Sequence, residues 1–108
     1  MTRLTSAFWV QAYLTRLRLA DIPAYVVARG DETAGNILVK QSPLDGTARA
    51  FQRIMAMDGS RPWDVLAEGP EAEVDATLRD QRRFDPDIWV IEVEDRTGRH
   101  LLDEEGLD

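Results

Sequence analysis

The side chains with the most capacity for chemistry in this sequence are carboxylates gathered around one β-like run near its C-terminal end: Asp85, Asp87, Glu92, Glu94 and Asp95. Hard divalent cations such as Mg²⁺ and Ca²⁺ take oxygen ligands of this kind. In an extended strand Glu92 and Glu94 project to one face and Asp95 to the other. Asp87, Glu92 and Glu94 are therefore the candidate metal ligands. The spacing is not that of a calcium loop, and a solvated sheet edge with a turn accounts for the same residues more simply.

Adding Asp31 and Lys40 gives the outline of a second chemistry. Metal-dependent nucleases hold Mg²⁺ on an acidic pair and orient the attacking water with a lysine, which makes Asp31, Lys40, Asp87 and Glu92 the candidate catalytic set. The pattern fails at one position, because Leu38 stands two residues before the lysine where an acid is needed. Gly30–Gly35 is no phosphate loop either, since it lacks the Gly-Lys-Ser/Thr ending. His100 is the only histidine, so a His-rich metal site or a Ser-His-Asp triad would have to form around one residue near the C-terminus. With no cysteine there is no thiolate nucleophile, disulfide framework or Cys-ligated cluster. No cofactor is expected.

Three tryptophans, Trp9, Trp63 and Trp89, are many for 108 residues. Core is their default place, and Trp89, inside the most apolar run, is the surest core member. Aromatic rings also form ligand platforms, so a small-ligand pocket walled by Trp9, Tyr13 and Trp63 is a further possibility.

The elements that must position these groups are marked by turns. Thr5 or Ser6 can cap a helix running to about Leu19, with Ala7, Trp9, Val10, Tyr13, Leu14, Leu17 and Ala20 on one broad face. Asp21-Ile-Pro23 ends it. Ala24–Ala28 and Asn36–Lys40 read as strands joined in a hairpin by Arg29–Gly35. Thr47–Met57 reads as a long strand and Trp63–Ala67 as a short one. Pro70 opens a helix over Glu71–Arg83, acidic at its start and basic at its end as the helix dipole favours. Ile88–Val93, apolar on both faces at its start, is expected as a central strand. From Arg96 onward a Thr97-Gly98 turn leads into a short strand or frayed end. The expected fold is a single α+β domain over residues 1–108, a mainly antiparallel sheet of about five strands with two helices in the order α-β-β-β-β-α-β.

Composition narrows the partners. A formal charge of −7, from 13 basic and 20 acidic residues, repels polyphosphate and anionic lipid, so neither nucleic acid nor membrane is an expected partner. No apolar stretch approaches the roughly 20 residues of a membrane helix. A cytoplasmic location is expected.

Trp9-Val-Gln-Ala-Tyr-Leu14, Arg29-Gly-Asp31, Ala34-Gly35, Lys40 and above all Phe84-Asp-Pro-Asp-Ile-Trp-Val-Ile-Glu-Val-Glu-Asp95 resemble the small alphaproteobacterial proteins grouped as domain of unknown function 1491. The resemblance spans nearly the whole chain. It implies a bacterial cytoplasmic protein and carries over no activity, cofactor or catalytic residue. It draws attention to Gly30, Asp31, Lys40, Asp85, Asp87, Trp89 and Glu92, whose polar members packing explains least.

The leading functional expectation is a non-enzymatic interaction or adaptor module, because no catalytic constellation emerges. The alternatives are a small metal-dependent hydrolase or nuclease-like enzyme and a small-ligand binder. Phe8, Ala12 and Leu19 form a helix arc that the core-facing side cannot bury. They are the expected interface of a two-fold homodimer, or the seat of an unknown protein partner.

Overall fold

The computed structural model describes residues 4–104 and 106. Its elements follow the chain as helix α1 (Ser6–Leu19), strands β1 (Ala24–Ala28), β2 (Ile37–Ser42), β3 (Thr47–Arg53) and β4 (Trp63–Pro70), helix α2 (Glu71–Phe84) and strand β5 (Trp89–Glu94). The element order is the expected one, and the class is α+β.

The Thr5 hydroxyl caps α1 by accepting the Phe8 N–H at 3.2 Å. The helix buries Trp9, Val10, Tyr13 and Leu17 against Val39, Trp89, Ile91 and Val93. On the other face of the sheet Val74 and Leu78 of α2 pack with Leu38, Ala48, Ala50, Ile88 and Val90. Neighbouring strand residues such as Leu38 and Val39, or Val90 and Ile91, thus serve opposite layers, as the two-residue period of a strand requires. A strand segment buried on both faces must be apolar, and Trp89–Ile91 at the start of β5 is, before Glu92 and Glu94 interrupt the run.

Strand order is β1-β5-β2-β3-β4. All pairings are antiparallel except β2 with β5, which is parallel. This corrects the expected hairpin between β1 and β2, because β5 lies between them. The run from Arg29 to Asn36 looks locally like a tight turn, yet it bridges the start of β5. Its glycines serve that crossing, as described below. β3 also ends at Arg53 rather than Met57. The chain turns over there, with the Ile54 N–H donating to the Pro62 carbonyl and the Ala56 N–H to that of Ser60.

The segment after β5 is neither strand nor frayed over its described residues. The Asp95 carboxylate accepts from the Thr97 hydroxyl and from the Arg99 backbone and guanidinium at 2.6–3.2 Å. Those bonds hold its pKa well below the usual range, Arg99 first and Thr97 next. Tyr13 donates its hydroxyl to the His100 carbonyl at 2.7 Å, and Leu101 and Leu102 pack on the α1 core. Local polar bonds shape this loop, and burial of two leucines docks it.

Candidate ligand-binding cleft

The structure divides the candidate catalytic residues into two places. Asp31 and Asp87 stand at the start of β5, whereas Lys40 and Glu92 are register partners farther along it. Five residues of strand, about 16 Å at ~3.3 Å per residue, separate Asp87 from Glu92.

At the first place Asp31 builds a clasp. Its carboxylate accepts the Thr33 and Ala34 amides at 3.1 and 2.8 Å, its own N–H donates to the Asp87 carbonyl at 2.9 Å, and its carbonyl accepts the Trp89 indole N–H at 2.7 Å. A Cβ at Gly30 or Gly35 would collide with the Asp87 carbonyl oxygen, so both glycines are required by close backbone approach. Asp85 accepts the Asp87 amide at 3.1 Å. Arg82 ties the arrangement to α2 through the carbonyls of Ile88 and Pro86, at 3.0 and 2.9 Å. These signature residues form the turns and bonds that place Trp89.

At the second place Lys40 is buried with its ammonium 2.8 Å from Glu71, 2.7 Å from Asp75 and 3.2 Å from Glu92. Burial pulls its pKa down, but the carboxylates of Asp75, Glu71 and Glu92 outweigh it and hold Lys40 above its ordinary value. The Tyr25 hydroxyl donates to Glu92 at 3.0 Å and approaches Glu94 at 3.4 Å. Desolvation, then those two carboxylates, push Tyr25 up to about 12. Glu92 and Glu94 therefore share a face as their spacing predicts, while Asp87 is remote from both. Among the described residues no three His, Asp or Glu side chains gather so as to hold a metal ion. The Lys40 ammonium occupies the centre of the carboxylates that do meet.

The clasp has a second consequence. Its residues Thr33 to Asn36 form one wall of a cleft of about 510 Å³ at the end of the sheet where β2 begins, β3 ends and β4 begins. The Ser6 hydroxyl donates to the Gly35 carbonyl at 2.6 Å, and the Ser6 and Ala7 amides donate to the carbonyls of Thr33 and Glu32. These bonds fix the start of α1 against that wall. Opposite stand Trp9 and Trp63, their ring centroids 5.6 Å apart. Arg53, the register partner of Trp63 across the β3–β4 pair, lays its guanidinium 4.8 Å from the Trp63 ring and 5.7 Å from that of Trp9. Arg61 and Gln52 complete this side, with Asn36 and Gln81 across from them. Tyr13, expected beside the tryptophans, lies behind Trp9 with centroids 4.8 Å apart and is buried, which raises its pKa.

The model of the family described as "Protein of unknown function (DUF1491)" matches residues 4–103. The chain belongs to that family. A DUF1491 family protein from Caulobacter crescentus CB15, solved by crystallography, is 41% identical with a TM-score of 0.86, the match covering 94% of this chain and 96% of that one. An NMR structure of a DUF1491 family protein from Caulobacter crescentus CB15 is 40% identical, with a TM-score of 0.83 and 96% of each chain covered. Protein Atu0922 from A. tumefaciens, in solution, is 33% identical, with a TM-score of 0.73 over 86% of each chain. No curated protein matches the chain.

In this DUF1491 chain the expected interface residues lie on the outer side of α1, where Phe8 is 60% and Leu19 81% exposed. With Ala12 between them they line a shallow groove of about 430 Å³. The docked leucines of the C-terminal segment belong to the α1 core cluster, which does not include Phe8 or Leu19. Arg53 and Arg61 were invisible as a pair in the sequence. The signal that leads to Arg53 is hairpin register, since folding the chain back about Asp58-Gly59 sets Arg53 opposite Trp63.

Proposed function

We propose that this DUF1491 protein is a non-enzymatic, cytoplasmic binding module whose cleft beside Trp9 and Trp63 receives a small ligand. One observation carries the reading: two tryptophan rings in contact wall a cleft of about 510 Å³, a volume within the range of small-molecule sites. Trp9 is itself 5% exposed and part of the α1 core, so the open ring is the half-buried Trp63, in contrast to Trp89, 1% exposed and bonded through its indole nitrogen. The Asp31 carboxylate is engaged with backbone amides and Glu92 with Lys40 and Tyr25, away from Asp87, which supports binding over metal-dependent hydrolysis. The lack of cysteine fits a reducing compartment. The test is a thermal-shift and tryptophan-fluorescence screen of small metabolites against the wild type and Trp63→Ala. A ligand at about 100 times its Kd adds about 2.7 kcal/mol of stability. Hits that stabilise the wild type and are lost in Trp63→Ala support the reading, while hits that survive the substitution place binding elsewhere.

A second reading concerns α1. Phe8 and Leu19, exposed on either side of the small Ala12, suit contact with the same arc of a second copy across a two-fold axis. Phe8→Asp is then expected to turn a dimer into a folded monomer in sedimentation. A wild type that stays monomeric at high micromolar concentration sinks this reading.

A further inference from the structure

We infer that the outer edge of β1 is a self-association surface, at which the strand pairs antiparallel with β1 of a second copy across a two-fold axis at Tyr25. No residue of β1 lines the cleft or the groove on α1, so this surface is separate from both.

The first support is the contrast between the two edges of the sheet. Strand order leaves β1 and β4 outermost, and an outermost strand presents a row of unpaired N–H and C=O groups. β4 carries the usual protection, since Asp64 and Glu68 put charge on it and Gly69-Pro70 ends it. β1, Ala-Tyr-Val-Val-Ala, has neither charge nor proline, and its Tyr25, Val26 and Val27 are exposed. The Tyr25 hydroxyl is held by Glu92 at 3.0 Å and Glu94 at 3.4 Å, both on β5. Its ring is therefore drawn inward over the sheet and does not screen the edge.

The phase of the backbone is the second. The Glu94 N–H donates to the Pro23 carbonyl at 2.9 Å, and bonded pairs alternate along antiparallel strands. Tyr25, opposite Glu92, thus turns its N–H and C=O to β5, while Ala24 and Val26 turn theirs outward. After Val26 the register shifts, so the regular outer edge is short and centred on Tyr25. That centring makes it self-complementary. A two-fold axis there sets Ala24 opposite Val26 of the second copy and Val26 opposite its Ala24, forming four N–H···O bonds.

Charge sets the direction of pairing. Asp21 precedes the strand and Arg29 follows it, and both are exposed. Antiparallel pairing brings the acid of one copy to the base of the other at each end, whereas parallel pairing sets like beside like. Arg29 lies 5.0 Å from the Trp89 ring and pairs with Glu32 at 3.1 Å. That ion pair is of the exposed kind, worth little, and does not hold the guanidinium against a second acid. Two five-residue strands meeting edge to edge bury less than the roughly 1,200 Å² of a standard interface, so the association is transient and concentration-dependent.

The experiment is amide hydrogen exchange of the full chain, followed by NMR at low micromolar and at millimolar concentration, with sedimentation alongside. On concentration the Ala24 and Val26 amides are expected to slow several-fold, while that of Tyr25, already bonded to β5, does not change. Val26→Pro removes an outward donor and no bond to β5, and is expected to stay monomeric at millimolar concentration. Should that variant not fold, Val27→Lys puts a charge at an exposed position of the edge and is expected to weaken association likewise. Phe8→Asp, on α1, is expected to leave the slowing of Ala24 and Val26 unchanged. A wild type that is monomeric at millimolar concentration overturns the proposal. So does exchange at Ala24 and Val26 that ignores concentration: fast exchange leaves the edge to a strand of another protein, and slow exchange means that its own chain covers it. Association lost in Phe8→Asp but kept in Val26→Pro overturns it as well, and moves the interface to α1.

Discussion

Lys40 and Arg53 are both cations on the sheet, and the protein treats them in opposite ways. Lys40, in the middle of β2, is sealed beneath α2 and surrounded by three carboxylates of its own chain. Arg53, at the end of β3, lies over two aromatic rings on the wall of an open cleft. The first charge is consumed by the fold: its bonds join β2 to β5 and to the first turns of α2. The second lies against two aromatic rings where β3 ends. Two basic residues on one sheet are therefore told apart by what surrounds them, since positive charge alone is common to both.

The largest test of this contrast is Lys40→Met. It leaves Glu92 and its neighbours facing one another without the cation, and removing one partner of a buried pair costs about 3–5 kcal/mol. Glu71 and Asp75 are 39% and 38% exposed, so water screens part of that and the lower figure is expected. Urea denaturation measures it. A loss under about 1 kcal/mol would make Lys40 an ordinary surface charge and collapse the comparison. The cleft tryptophans should keep their NMR shifts in this variant.

A smaller effect on stability is expected from Arg53→Ala. Loss of a cation from two rings costs about 1 kcal/mol at a half-exposed site, well below the Lys40 figure. A destabilisation as large as that of Lys40→Met, measured in urea, would show that the fold depends on Arg53 as much as on Lys40.

His100 supplies the smallest and most selective test, because it is a third basic group that the fold keeps neutral. Burial lowers its pKa, with Asp103 opposing and Arg49 assisting. Its Nδ1 accepts the Leu102 N–H at 3.0 Å, a bond that protonation at that nitrogen destroys. As pH falls through the ordinary value of 6.5, the unfolded chain takes up this proton before the folded one does, so stability drops. The drop stops growing below the folded value. Melting temperatures between pH 7 and pH 5 should fall in the wild type and fall less in His100→Gln. Equal slopes in the two proteins would mean that His100 titrates freely. Lys40 works at the other extreme: its stabilising share is complete below 10.5 and is lost only as pH climbs above that.

Much of the architecture was legible because its signals are local. Pro23, Gly46 and Pro70 punctuate the elements, and the two-sided apolarity of Ile88–Val93 announced a central strand. Pairing was less so. Arg29–Gly35 has the composition of a hairpin turn, and nothing within it reports that β5, more than fifty residues later, will enter between its flanking strands. The site followed the same rule. Asp31, Asp87, Lys40 and Glu92 stood out as chemical residues, yet their conspicuousness comes from backbone bonds and a buried ion cluster. Trp9, Trp63, Arg53 and Arg61 carry no spacing signature, since a cleft is assembled from the ends of several elements. Only the register of β3 with β4 ties Arg53 to Trp63 in advance.

The late position of β5 in the chain and its inner position in the sheet bear on how the protein is made. During synthesis β1 and β2 leave the ribosome long before their shared neighbour exists. Each then offers an open hydrogen-bonding edge, and a direct β1–β2 hairpin is the nearest pairing within reach. Any such hairpin would have to open before Trp89–Glu94 could take its place between the two strands. The clasp of Gly30, Asp31 and Gly35 can close only on the Asp87 carbonyl and the Trp89 indole. Its bonds are therefore among the last that the chain can form, because both partners lie at the start of the final strand.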